Sequence, residues 1–420
     1  MYSSLRSARL LFGILKVDPL YEFNGYARLC HHSVIVKRSS HNLLQISSFN
    51  NPIKSNKKKL HDSFVESQDL SSVSSYPYNE TKPPHIPVMA QEVLEYLAPR
   101  GKQTFLDMTF GAGGHSQLIL ESSPEVRMIC LDRDPTAYNY AKELQNKYPD
   151  RVLPLLGKFS DLPMLFHKLG MGKDMLDGVL MDLGVSSMQF DNPERGFMLS
   201  KNGPLDMRMD GGRDQDQLPA SEILMHINED HLYKVLKYYG EDKNARKIAR
   251  ALIESRYMFQ KFNTTQELSE FVSSLLGDEY KLDKLKRPSH PATKFFQALR
   301  ILVNNEMNEL DYGLHLAHYY VRPRGNLVAI SFHSLEDTVI KRHLTGVDMD
   351  ITPETIGSGL RKHRTAVTVH TSQEMDQFMR KSWVPMFKHI VLPSEIEVKH
   401  NPRSRSAKLR AASKACGYTT

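Results

Sequence analysis

One stretch of this 420-residue chain decides the fold: residues 104–132, which read TFLDMTFGAGGHSQLILESSPEVRMICLD. Two short apolar runs, 104–109 and 126–132, enclose a glycine-rich loop and a segment that predicts the start of a helix. Glycines at such a loop let the backbone turn sharply and approach a ligand without a Cβ in the way. Strand, glycine loop, helix and strand in this order indicate an open α/β fold that binds a nucleotide-like ligand.

Further apolar runs extend this pattern along the chain, at residues 152–156, 177–183 and 326–332. Near-continuous apolar strands separated by helical patterns predict a parallel sheet covered on both faces. About 140 residues separate the last two runs, more than a simple crossover needs. We therefore expect an all-helical insertion at 210–287, in which Thr264 opens one helix through a capping box. One further helix, striped by Phe295, Leu299 and Leu310, is expected to return to the sheet.

The composition excludes several classes of protein. Lysine and arginine number 55 against 48 acidic residues, which gives a net charge of +7. No stretch approaches the roughly 18 apolar residues of a membrane-spanning helix, so an integral membrane protein is not expected. Cys30, Cys130 and Cys416 are too few and too scattered for a disulfide framework or a zinc cluster.

The N-terminal residues differ in character from the rest. Residues 1–50 are rich in serine and basic side chains, poor in acidic ones, and contain a short amphipathic pattern around Leu10–Leu15. This composition is typical of a mitochondrial transit peptide, with a disordered basic tail as the alternative. Residues 51–84 are polar, with a lysine run, a serine cluster and two prolines, and they predict a flexible linker.

Asp132 is the second signal of an adenosyl ligand. It ends the second apolar run 21 residues after Gly111, where a carboxylate can accept hydrogen bonds from ribose hydroxyls. Asp134 precedes Pro135 and is better explained as a helix N-cap, a structural duty that we do not expect of Asp132. The dinucleotide fingerprint requires glycine where this chain has Ser116, which disfavours a nicotinamide cofactor. These residues alone leave pyrophosphate and sulfonium cofactors open.

The fourth run leads into DLGVSSMQFD at 182–191, which places polar groups over the carboxyl edge of the sheet. Here the sequence resembles the ribosomal small-subunit RNA cytosine-N4 methyltransferases of the bacterial MraW/RsmH type. The matching stretches occur in consistent order over about 320 residues: HIPVM at 85–89, FGAGGHS at 110–116, LDRDP at 131–135, DLGVSSMQFD at 182–191, GPLDMRMD at 203–210, HPAT at 290–293, ALRI at 298–301, SFHSLED at 331–337 and NPRSRS at 401–406.

The resemblance implies a class I (Rossmann-like) methyltransferase that uses S-adenosyl-L-methionine and no metal, with its core in 85–209 and 288–420. It implies that Gly113, Gly114 and His115 contact the methionine part of the cofactor. It also implies that Asp132 holds the ribose and Phe159 flanks the adenine. Asp182 and Gln189 would complete the pocket. Ordinary structural roles for Phe159, His115 and Gln189 are the alternatives.

The implied reaction methylates the exocyclic amine of a cytidine, and the residues suggest acceptors and RNA contacts without a catalytic base. Ser186 and Ser187 are candidate hydrogen-bond acceptors for that amine, and His333 and Glu336 are candidates to face the pocket. Arg403 and Arg405 belong to a basic C-terminal tail that we expect to contact phosphates, with a merely solvated terminus as the alternative. A second candidate RNA surface is the positive face of an insertion helix, formed by Arg246, Lys247, Arg250 and Arg256.

Together these features predict an enzyme of the mitochondrial matrix that methylates a cytidine of small-subunit ribosomal RNA. Its partner would be that RNA or an assembling small ribosomal subunit. Two other functions stay open at this point: a non-catalytic RNA-binding assembly factor and a nicotinamide-dependent oxidoreductase. The glycine loop and the acidic residues at the strand ends argue against the first, and the missing third glycine argues against the second.

Overall fold

A computed structural model describes residues 86–258, 261–277, 281–282, 288–346 and 382–416. The predicted transit peptide at 1–50 and the predicted linker at 51–84 lie outside the described residues. Among the described residues, no helix combines the length and the apolar character needed to cross a membrane.

A seven-stranded mixed sheet forms the centre of the described residues. Its strands are β1 (Thr104–Asp107), β2 (Arg127–Asp132), β3 (Val152–Leu156), β4 (Leu176–Asp182), β5 (Val321–Ser331), β6 (Trp383–Pro385) and β7 (Lys408–Lys414). Their spatial order is β3-β2-β1-β4-β5-β7-β6. The first five strands in this order are parallel, and β7 runs antiparallel to both of its neighbours. The fold is therefore α/β with a mostly parallel sheet, as the apolar runs predicted.

Helices cover both faces of this sheet, because side chains of successive strand residues point to opposite sides. The helices on one face are α4 (Leu162–Lys168), α11 (Glu306–Tyr320) and α12 (Ser334–Thr345), and those on the other are α1 (Ala90–Leu97), α2 (Gly114–Ser122) and α3 (Pro135–Lys147). Leu106 packs in one apolar cluster with α4, α11 and α12, and Phe105 packs in another with α1, α2 and α3.

A separate apolar core lies in the segment between β4 and β5. It begins at Phe197 and extends to Val303, so it reaches beyond the predicted insertion boundaries of 210–287 at both ends. The segment is also not all-helical, because Lys281–Leu282 pairs with Pro288–Ser289 as two short antiparallel strands. The predicted capping box is present, with Thr264 accepting from the Glu267 N–H. The helices of the segment between β4 and β5 that form this core are α6 (Ala220–His226), α7 (Glu229–Tyr238), α8 (Ala245–Tyr257), α9 (Thr265–Leu276) and α10 (Thr293–Asn304).

The prediction of one helix through Phe295 and Leu310 is wrong, because α10 and α11 are two helices. Asn305 joins them with a φ of 51°, in the left-handed region that ends a helix. Asparagine tolerates this conformation better than most residues, so a single Asn305 interrupts the helix between two apolar stripes.

The basic C-terminal tail is also not a tail through most of its length. Residues Lys408–Lys414 form β7 and lie between β5 and β6 within the sheet. Lys414 is 3% exposed, and its ammonium donates to an Asp174 carboxylate oxygen at 2.6 Å. Arg410 donates to both oxygens of Asp337, at 2.7 and 3.2 Å. These two cations are therefore engaged by the protein itself, and the prediction that the whole tail binds phosphate is wrong.

Candidate active site

Three carboxylates end three adjacent strands at one edge of the sheet. Asp107 ends β1, Asp132 ends β2 and Asp182 ends β4, and β1 is hydrogen-bonded to both of the other strands. The carboxyl edge of an open parallel sheet is where such folds bind ligands. Sequence reasoning identified Asp132 and Asp182 but missed Asp107, although it stands at the same strand-end position in TFLD.

The glycine loop turns directly above these carboxylates. Gly113 caps α2 with a φ of 81°, and a Cβ at this position would lie 2.5 Å from the Phe110 ring. Only glycine fits that conformation and that space without strain. Gly114 lies against Pro87, whose ring atoms would stand 3.3 Å from an added Cβ. Residues 86–89 therefore support the loop from outside.

Asp107 holds the loop from below. Its carboxylate accepts from the Ser116 hydroxyl at 2.7 Å and from the Thr109 N–H at 3.0 Å. The side chain is 1% exposed, and this burial raises the pKa of Asp107 above its usual value. Ser116, which replaces the third glycine of a dinucleotide fingerprint, thus has a structural duty in anchoring α2 to β1.

Asp132 also has structural contacts, so the expectation that it lacks them is wrong. Its two oxygens accept from the Gly111 N–H at 2.8 Å and the Asp134 N–H at 2.9 Å. Burial raises the pKa of Asp132 to about 6, and these two hydrogen bonds oppose the rise. A carboxylate has about four acceptor sites, so capacity is left for ligand hydroxyls.

His115 and Asp182 form the least satisfied polar pair of the site. The His115 Nε2 atom lies 3.5 Å from Oδ2 of Asp182, and the imidazole is 7% exposed. Both ring nitrogens of His115 and Oδ1 of Asp182 are buried without a hydrogen-bond partner. Because an unsatisfied buried polar group is costly, such a cluster indicates a place where a polar ligand supplies the missing partners. Asp182 is held in position by its N–H, which donates to Thr109 Oγ1 at 2.6 Å.

Gln189 is more committed to the protein than the resemblance implies. Its amide nitrogen donates to Asp134 and to the Met209 carbonyl, both at 2.9 Å, while its amide oxygen accepts from the Ser186 N–H at 3.1 Å. Asp134 caps α3 through the Thr136 N–H, as predicted. Gln189 thus ties the loop after β4 to α3, and its contact with the cofactor stays a prediction.

Phe159 lies in a short 3₁₀ turn after β3 and is half-buried against α11. Its ring approaches Gly313 so closely that a Cβ there would lie 2.8 Å away. The neighbouring Lys158 forms a 2.6 Å ion pair with Asp214, which lowers the pKa of Asp214. This pair joins the β3 loop to the segment that leads into α6. The role of Phe159 beside adenine stays a prediction.

Ser186 and Ser187 begin α5 (Ser187–Asp191), just beyond Asp182. The Ser186 hydroxyl accepts from the Gln189 N–H at 3.3 Å and acts as the N-cap, while Ser187 is the first helical residue and is half-buried. A capping hydroxyl keeps its own O–H for donation. Their roles as acceptors for the cytidine amine stay predictions.

His333 and Glu336 form a capping box at the start of α12. The Glu336 carboxylate accepts from the Phe332 N–H at 2.8 Å and lies 3.0 Å from His333 Nε2. Burial would raise the pKa of Glu336, but the adjacent His333 and Arg300 bring it below its usual value. Possible metal-ligand atoms of Glu306, His333 and Glu336 all lie within 4.8 Å of one another. Arg300, however, already donates two 2.9 Å hydrogen bonds to the Glu306 carboxylate. The cluster is explained as an internal ion network beside the site.

The predicted RNA contacts fall into two groups. Arg403 and Arg405 are exposed in the 3₁₀ segment Pro402–Ser406, and Arg403 pairs with Asp191 at the end of α5. On α8, Arg246 is exposed and lies 4.2 Å from the Tyr233 ring centroid. Arg256 does not belong to that face, because it is half-buried and donates to the Ile227 carbonyl at 2.6 Å.

This sheet order, with a glycine loop and acidic residues at the ends of β1, β2 and β4, defines a class I (Rossmann-like) methyltransferase. A family model for the MraW methylase family matches residues 82–415. The chain belongs to the MraW methylase family, as the resemblance implied.

Individual relatives are similar to this chain over most of its length. A probable methyltransferase-like protein 15 homolog of Drosophila melanogaster is 45% identical over 336 residues, which is 80% of this chain and 93% of that protein. The 12S rRNA N(4)-cytidine methyltransferase METTL15 of Bos taurus is 46% identical over 338 residues, 79% of this chain and 82% of that protein. A putative receptor-type tyrosine-protein phosphatase mosPTP-1 of Culex quinquefasciatus is 49% identical over 327 residues. This chain spans only 22% of the length of that protein, so the phosphatase name is not transferred.

Proposed function

We propose that this protein transfers a methyl group from S-adenosyl-L-methionine to N4 of a cytidine in mitochondrial small-subunit ribosomal RNA. The observation that carries the proposal is the His115–Asp182 pair, whose three buried and unpartnered atoms lie at the sheet edge where this family's glycine loop turns. Family membership and the relative named for 12S rRNA support the choice of reaction and substrate.

The residues fit the cofactor by charge and by shape. Asp182 would pair with the ammonium of the methionine part, and Asp132 would accept from the ribose hydroxyls with its remaining lone pairs. Gly113 and Gly114 let the loop that would hold the methionine part turn tightly, because a Cβ at either position would press on Phe110 or Pro87. The half-buried Phe159 would lie beside the purine. When bound, the cofactor supplies an electrophilic methyl group on a sulfonium.

The residues of the chain must then make a poor nucleophile reactive. The lone pair of a cytidine amine is delocalised into the ring, so attack requires a fixed approach and acceptors that favour a pyramidal nitrogen. Ser186, Ser187 and the backbone carbonyls of the loop after β4 would accept hydrogen bonds from that amine. The released proton passes to solvent or to a weak base after attack. We assign no residue as a catalytic base.

The RNA partner and the location follow from charge. Because a cytidine must leave its stack to enter such a site, the surrounding surface must hold RNA by its backbone. Arg403 and Arg405 are both exposed, and Arg403 pairs with Asp191 at the end of α5. We place the protein in the mitochondrial matrix on the composition of residues 1–50, with small-subunit ribosomal RNA or its assembling subunit as the partner.

The test is methylation of small-subunit ribosomal RNA by the purified protein, with N4-methylcytidine measured by mass spectrometry of digested RNA. Asp182→Asn is the matched variant, since it keeps the side-chain volume and removes the charge. We expect product with the wild-type protein, none with the variant, and weaker binding of S-adenosyl-L-methionine to the variant in calorimetry. RNA binding by a wild-type protein that does not bind the cofactor would favour the non-catalytic assembly factor instead.

A further inference from the structure

We infer that Phe190 is a stacking platform for an RNA base next to the modified cytidine, an inference that rests on the proposed function. The helix α5 inverts the usual distribution of polar and apolar side chains. Gln189 is 4% exposed, whereas the adjacent Phe190 is 42% exposed. Single exposed apolar residues are common, so exposure alone would carry nothing. The inference depends instead on the position of Phe190 in α5 and on the arginine next to its ring.

Phe190 lies in the helix that follows the loop of candidate acceptors. The loop leaves β4 at Asp182, and α5 begins at Ser187. Gln189 fixes this short helix against α3 through its hydrogen bond to Asp134, so the ring is held on an anchored element. An exposed ring on this helix is accessible to RNA that approaches the loop.

A cation stands beside the ring. The Arg403 guanidinium lies 6.0 Å from the Phe190 ring centroid and is fixed by its ion pair with Asp191. Arg405 is exposed two residues further on. An aromatic ring with an arginine over one of its faces matches a nucleotide, because a base can stack on the other face and the phosphate can meet the charge.

The C-terminal segment that carries these arginines is anchored to the cofactor side of the site. Glu397 in α13 (Glu395–His400) accepts from the Met89 N–H at 2.6 Å, and Asn401 donates to the Ile86 carbonyl at 3.0 Å. Ile86 and Met89 flank Pro87, which packs against Gly114 of the glycine loop, so α13 is held beside that loop. Phe190, Arg403 and Arg405 therefore form part of the rim of the site.

The chemistry of base extrusion gives this rim its ligand. Taking a cytidine out of its stack deprives the neighbouring base of one partner, at a cost of a few kcal/mol. An aromatic ring at the rim can replace that partner, and it does so for any base, because every base has a π face. The occupant is therefore a nucleotide of single-stranded RNA, bound by stacking and by its phosphate.

Three variants test the inference. Phe190→Leu keeps the apolar bulk and removes the aromatic face, and Phe190→Trp keeps the face. Tyr140→Leu on α3 is the control, because Tyr140 is also 42% exposed. The probe is a single-stranded RNA oligonucleotide with one cytidine, titrated in the presence of S-adenosylhomocysteine. Because stacking is lost, the Phe190→Leu variant should bind this RNA about five- to 150-fold more weakly than the wild-type protein.

Binding of S-adenosylhomocysteine and the melting temperature should stay at wild-type values in all three variants, and Phe190→Trp and Tyr140→Leu should bind RNA normally. Unchanged RNA affinity of Phe190→Leu, with methylation by the wild-type protein intact, overturns the inference and leaves the proposed function standing. Parallel losses of cofactor affinity and melting temperature would also overturn it, since they indicate a structural ring. A wild-type protein that neither binds nor methylates RNA removes the proposed function and the inference together.

Discussion

The two kinds of arginine in the C-terminal segment should respond differently to the same substitution. Arg410 in β7 binds Asp337 in α12 through two hydrogen bonds, and both side chains are 16% exposed. Breaking a buried charge pair costs about 3–5 kcal/mol, and the residual exposure places this pair at the lower end. We therefore expect Arg410→Gln to lose about 3 kcal/mol of stability, which corresponds to a fall in melting temperature of roughly 5 °C.

The rim arginines should instead change the salt dependence of RNA binding. A contact with a phosphate of single-stranded RNA contributes about 0.7 to the slope of log affinity against log salt. Arg403→Gln with Arg405→Gln should flatten that slope by about 1.4, weaken different RNA sequences about equally, and leave the melting temperature unchanged. Arg410→Gln should leave the slope unchanged.

The assay is RNA affinity over a salt series together with thermal melting on the same preparations, with cofactor affinity as the control for an intact site. A flatter salt slope for Arg410→Gln with an unchanged melting temperature would refute the assignment of Arg410 to an internal ion pair, because Arg410 would then contact RNA. A lower melting temperature for the double variant with the wild-type salt slope would refute the assignment of Arg403 and Arg405 to RNA contacts.

Three other predictions concern the site and the N-terminus. If only ionised Asp132 binds ribose, its pKa of about 6 makes cofactor affinity at pH 5 about tenfold weaker than at pH 7.5. Calorimetry at the two pH values should show this loss. Asp132→Asn should bind the cofactor more weakly at both pH values and should lack this pH dependence. Gly113→Ala forces a Cβ to within 2.5 Å of a phenyl ring at positive φ, so cofactor affinity and melting temperature should both fall. Gly101→Ala, also at positive φ but with no atom within 4 Å, should lower only stability, and equal effects of the two variants would contradict the steric argument. Replacing Arg6 and Arg9 with Glu should leave a fluorescent fusion in the cytosol, and unchanged mitochondrial import would place the signal elsewhere.

Local signals in the sequence determined the elements of the fold. The apolar runs predicted the parallel strands, because strands buried on both faces have no polar alternation. The Asp134–Pro135 pair and the Thr264 capping box predicted two helix starts, since a cap acts on N–H groups two or three residues away. The glycine loop and the strand-end acids predicted the edge of the sheet where the site lies.

Only the tertiary structure decided which side chains are engaged by the protein itself. The partners of Arg410 and Lys414 are 73 and 240 residues away in sequence, so composition alone could not distinguish an internal cation from one that meets RNA. The same holds for Gln189, whose partner Asp134 is 55 residues distant, and for the exposed ring of Phe190 beside it. The role of a charged or aromatic side chain depends on which residues contact it in the folded chain, and the spacing of residues in the sequence does not show those contacts.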